Sequence, residues 1–190
     1  MTRTTFRMMA VGAAVAAATV FATPAPMAQA TPSSAAACGY SVPQPLWARW
    51  NQFGSEGGSF GCPTTGAYNV GNGLYQQFER GTIAWSPSQG TNMVVSAQRW
   101  GSGLRFDWGL SDPFNYNDWL INITRDGNNI NGDQECIAHG GGSGDCGRYD
   151  GTTYWYNLTP GQYRISVEGC DIGFRRPCRQ GWTIPVYVGL

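Results

Sequence analysis

The chain of 190 residues carries 12 basic residues, every one an arginine, against 12 acidic ones and a single histidine, His139. Zero net charge without a basic run argues against a nucleic-acid binder, and a chain with no lysine and one histidine excludes a P-loop, Schiff-base chemistry and a histidine-rich metal site. Charged residues make up 13%, about half the usual quarter, whereas 27 glycines and 8 tryptophans point to turn-rich β structure packed on aromatic rings.

Residues 1–30 read as a secretory signal. Arg3 and Arg7 form its charged start, Ala10 to Ala22 is an apolar stretch too short to span a bilayer, and Ala28-Gln29-Ala30 offers a cleavage site. Residues 31–37 read as a disordered leader. Cleavage removes two arginines and leaves 10 against 12 acids, a net charge of −2. No other stretch reads as a membrane span. The six cysteines, Cys38, Cys62, Cys136, Cys146, Cys170 and Cys178, all lie beyond the signal, and an even count in an exported chain reads as disulfides. Six cysteines permit 15 pairings; the short spacings favour 38–62, 136–146 and 170–178.

Residues 38–91 form a first unit, dense in glycine and aromatics, with a weak helix at 44–52 and a β-hairpin over Leu74 to Ile83. Gly58-Ser59-Phe60-Gly61-Cys62-Pro63-Thr64, followed by Phe78-Glu79-Arg80-Gly81-Thr82-Ile83-Ala84-Trp85, resembles an LGFP repeat. In that family a Leu-Gly-x-Pro-Thr turn precedes a Phe-x-x-Gly-x-Ile-x-Trp strand. Cys62 stands where the family has Phe or Tyr, and a single repeat is present where tandem repeats are usual. The resemblance implies a secreted actinobacterial protein held at the cell envelope. Trp50, Tyr75, Phe78 and Trp85 are the candidates for stacking on a wall polymer, because sugar rings present C–H faces to aromatics. The competing reading makes the same rings the core of a small unit.

Residues 92–190 alternate as antiparallel strands packed on one face. Strands are expected at 92–98, 103–109, 119–125, 129–133, 152–158, 162–169 and 182–188, with Asp126-Gly127 as a hairpin turn and Pro185 marking an edge. Leu104 to Trp108, and Leu158-Thr159-Pro160-Gly161-Gln162-Tyr163, resemble a fibronectin type III or immunoglobulin-like sandwich with its tyrosine corner. The expected fold is therefore mainly β: a small LGFP-like domain followed by a fibronectin III-like sandwich. In that topology loops 111–118, 134–151 and 171–181 share one pole, placing Phe114, Tyr116, Phe174, Arg175, Arg176 and Arg179 as a second candidate binding surface, with arginine forks suited to an anion.

A catalytic constellation is not legible. His139 sits in a glycine-rich run without a nucleophile elbow, and the acids form no recognisable pair. Asp133, Glu135, Asp145 and Asp150 lack EF-hand spacing for calcium. The expectation is a secreted, non-enzymatic protein without metal or cofactor, binding a cell-wall polymer or extracellular polysaccharide. Two alternatives stand beside it: a protease inhibitor presenting Phe174-Arg175-Arg176-Pro177 on the 170–178 loop, and a small cell-wall hydrolase.

Overall fold

The computed structural model describes residues 38–137, 144–171, 178 and 180–190. The expected signal and leader, His139 and the loop arginines Arg175, Arg176 and Arg179 lie outside them. One short helix, α1 (Leu46–Gln52), precedes eleven strands. These are β1 (Tyr68–Val70), β2 (Gly73–Phe78), β3 (Gly81–Trp85), β4 (Val94–Trp100), β5 (Gly103–Trp108) and β6 (Asp118–Arg125), then β7 (Asn128–Ile137), β8 (Gly144–Cys146), β9 (Gly151–Trp155), β10 (Gln162–Cys170) and β11 (Val186–Gly189). None of the described helices is long and apolar enough to cross a membrane.

All pairings are antiparallel. A seven-stranded sheet runs β1-β2-β3-β4-β5-β9-β8 and a four-stranded sheet runs β11-β10-β6-β7. The alternation explains how they meet. Leu104, Phe106 and Trp108 of β5 face Trp119, Ile121 and Ile123 of β6 and Tyr163, Ile165 and Val167 of β10, all buried in one core. Removing a ring such as Trp108 or Trp119 from it is worth about 3–5 kcal/mol. The opposite face of the larger sheet is covered at one end by α1, where Leu46 and Trp50 bury against Phe60, Phe78, Ile83 and Val94.

The turns follow their sequences. Asp126 (φ 50°) and Gly127 (φ 82°) both take the left-handed conformation that a two-residue hairpin needs, between Arg125 and its partner Asn128. Tyr163 Oη donates to Thr159 O at 2.5 Å, the bond expected of a tyrosine corner. The last strand begins later than expected. Pro185 has no N–H to give a ladder, and Thr183 bonds Val167 instead, its N–H to Val167 O at 2.9 Å and its Oγ1 accepting from Val167 N at 3.0 Å.

The sheet runs on across residue 91, where the first segment was read to end. β3 pairs with β4 from Gly81↔Gln98 to Trp85↔Val94, and β4 pairs onward with β5. The described residues make one compact unit, and Tyr75 and Ala84 of the first segment belong to the same core as Trp119 and Tyr163 of the second. The three disulfides close as the spacings favour, joining Cys38 to Cys62, Cys136 to Cys146 and Cys170 to Cys178.

Candidate functional site

The edge strand β11 packs over β3 and β4, leaving β1 and β2 projecting beyond the four-stranded sheet. Thr82 of β3 fastens β11 in place. Its Oγ1 donates to Tyr187 O at 2.9 Å and accepts from Tyr187 N at 2.7 Å, and Arg99 Nε donates to Gly189 O at 2.6 Å. The projecting hairpin and the edge of β11 enclose a groove of about 540 Å³. Tyr68, Val70, Tyr75 and Gln77 line one side, Gln162, Ile184, Pro185 and Tyr187 the other.

Three tyrosines run across this groove, with Tyr75 5.3 Å from Tyr68 and 6.5 Å from Tyr187 between ring centres. Tyr68 and Tyr187 are exposed, while Tyr75 is buried as the floor. Burial pushes the Tyr75 phenol well above the ordinary tyrosine range; the neighbouring Tyr68 and Tyr187 add to the shift, and hydrogen bonds with Thr82 and Gln77 oppose it. Tyr75 therefore stays a neutral phenol. Aromatic faces flanked by the amides of Gln77 and Gln162 suit a ligand with apolar faces and hydroxyl edges.

The sequence candidates fare unequally. Tyr75 lies in the groove. Trp50 and Phe78 are buried, 6.2 Å apart between ring centres, and Trp50 Nε1 donates to Gly61 O at 2.8 Å. They hold α1 on the sheet and have no face open to a polymer. Trp85 is half-buried, its Nε1 donating to Thr91 O at 2.8 Å. At the loop pole Phe114 is exposed, but Tyr116 is only 2% exposed, packed edge-on against Trp119 at 5.0 Å; it is a core residue, not a contact surface. Phe174, Arg175, Arg176 and Arg179 lie outside the described residues. Tyr68 and Tyr187 escaped sequence reasoning. For Tyr187 the signal was an aromatic on the polar side of an alternating strand, between Val186 and Val188; the three-residue strand that holds Tyr68 carried none.

A larger cleft, about 730 Å³, opens between α1 and the ends of β5 and β9. Arg49 reaches into it from α1, its Nη2 donating to Val94 O at 3.1 Å and Gly109 O at 3.3 Å. Desolvation lowers the Arg49 pKa, opposed by the attraction of Asp107 and Asp150. Asp107 is buried and already held by Arg105, whose Nε and Nη2 approach it at 2.8 and 2.6 Å, and by Thr152 Oγ1 at 2.6 Å. The acids weighed as calcium ligands do not converge on one sheet: Asp133, on β7, accepts from Asn122 Nδ2 at 2.8 Å, whereas Asp145 and Asp150 border the cleft. Glu168, Cys170 and Cys178 bring possible metal ligands together among the described residues, but both sulfurs are committed to a disulfide.

Residues 60–102 match the LGFP repeat family. The chain thus carries an LGFP repeat, running from Phe60 through β1, β2, β3 and β4 to Ser102 in the turn before β5. Its last strand, β4, lies in the stretch that the sequence allows either as the repeat's tail or as the sandwich's first strand. Comparison with curated proteins and with solved structures gave no match.

Proposed function

We propose that this is a secreted, non-enzymatic protein that binds a cell-envelope polymer or extracellular polysaccharide, and that the tyrosine groove of its LGFP repeat is where the polymer lies. The observation that carries this reading is the line Tyr68–Tyr75–Tyr187, formed where the repeat's hairpin projects past β11. Three disulfides suit an oxidising, extracellular setting, in keeping with the secretory leader read from the sequence. The arrangement β4-β5-β9 against β11-β10-β6-β7 supports the fibronectin III-like reading, as strands A-B-E against G-F-C-C′.

Co-sedimentation of the purified mature chain with cell walls tests the proposal. Tyr68→Ala and Tyr187→Ala are each expected to weaken binding about tenfold, by analogy with base-stacking losses, without moving the thermal midpoint. Equal recovery in the supernatant with and without walls rejects the reading.

A further inference from the structure

The cleft between α1 and the ends of β5 and β9 shares no lining residue with the tyrosine groove. It holds charge that no ion pair answers among the described residues. Arg49, half-buried, enters it from α1. Its Nη2 is spent on the carbonyls of Val94 and Gly109, while Nε and Nη1 have no partner among the described residues. Taking a cation out of water without giving it a counter-charge is costly, and burial is the largest cause of the lowered Arg49 pKa. A second donor on the same wall is unused. Trp108 and Gly151 both line the cleft. A Cβ on Gly151 would strike Trp108 Cζ2 and Cε2, so the indole edge next to Nε1 lies against that glycine. Trp108 Nε1 is buried and has no hydrogen-bond partner.

The opposite charge lines the same cleft. A Cβ on Gly109 would strike Asp150 Cβ, so Asp150 stands beside the residue whose carbonyl Arg49 holds. Asp107 of β5 pairs with Thr152 of β9, and Thr152 pairs with Asp145 of β8. Directly opposed residues of an antiparallel pair share a face, so Asp107, Thr152 and Asp145 form one row along the cleft. Asp107 is neutralised by Arg105. Asp145 and Asp150 are exposed and make no ion pair among the described residues. What is left unanswered is one half-buried cation and two carboxylates. A simple anion seated on Arg49 would face both acids, and a simple cation seated on the acids would face Arg49. A ligand carrying a carboxylate and an ammonium answers both signs at once, and the arginine fork suits its carboxylate. The volume, about 730 Å³, has room for several residues of a peptide.

We propose that this cleft is a second binding site, which takes a zwitterion of the amino-acid type, its carboxylate on Arg49 and its ammonium on Asp150 and Asp145. A free amino acid and a short peptide share that chemistry. The site is independent of the function proposed for the tyrosine groove.

The test is titration of the mature chain with glycine, triglycine, N-acetyltriglycine and triglycine amide, followed by the Trp108 indole N–H resonance. The expected result is a saturable shift with glycine or triglycine, and the comparison of the two separates a free amino acid from a peptide. N-acetyltriglycine, which lacks the ammonium, and triglycine amide, which lacks the carboxylate, are each expected to bind about tenfold more weakly or worse. Asp145→Asn with Asp150→Asn changes two exposed side chains, is expected to leave the thermal midpoint in place, and removes the advantage of triglycine over N-acetyltriglycine. Arg49→Lys keeps the charge and is expected to retain part of the affinity that Arg49→Gln loses. Tyr187→Ala, in the groove, is expected to leave the titration unchanged, so failure of one site is distinguishable from failure of the other. Equal binding of triglycine and either blocked peptide, a titration unmoved by the paired Asn changes, or no Trp108 shift at millimolar ligand overturns the proposal.

Discussion

Tyr75 links stability to pH through a single phenol. Its folded pKa is raised, chiefly by burial, whereas an unfolded tyrosine ionises near pH 10, roughly. The folded chain therefore holds a proton that the unfolded chain releases at alkaline pH. The stability contributed by the neutral phenol is complete below the unfolded pKa and declines as pH rises above it. Tyr75→Phe is expected to flatten the alkaline loss of stability between about pH 9 and about pH 11, read from urea midpoints across that range. An unchanged slope would place the alkaline sensitivity elsewhere.

β11 is held by more than its ladder to β10. An edge strand offers unpaired N–H and C=O groups along its free side, and at Tyr187 both are taken by one hydroxyl, that of Thr82. Thr82→Val keeps the shape and removes the hydroxyl, leaving both backbone groups without their partner. The expected loss is about 1–3 kcal/mol in urea unfolding, with Thr82→Ser restoring most of it and wall binding falling in parallel as the groove loses its far side. Strand positions such as 103–109, 119–125 and 162–169 were legible because each alternates apolar and polar residues over several positions. β1 and β8, three residues each, are too short to show a period and were missed. Trp50 and Phe78 look like stacking rings in the sequence because nothing local shows that α1 folds over them. The groove itself was illegible: Tyr68 and Tyr187 are brought together only by the packing of one sheet edge over another.

At the scale of the molecule, the LGFP repeat is a part of a larger sheet. The inner faces of β3 and β4, with Ala84, Val95 and Ala97 fully buried, share a core with β6 and β10. A fragment ending at Ser102 would expose that face and lose β5 from the edge of β4. Residues 38–102 alone are therefore expected to lack cooperative unfolding and dispersed amide resonances, while the mature chain unfolds in one transition. A fragment with a sharp thermal transition of its own would show that the repeat is an autonomous fold.

The Thr82–Tyr187 clasp spans 105 positions of the chain. One wall of the groove comes from the earliest strands and the other from the last. A truncated or half-folded chain thus lacks the groove altogether, and under the function proposed above polymer binding would serve as a readout that the first and last strands have met.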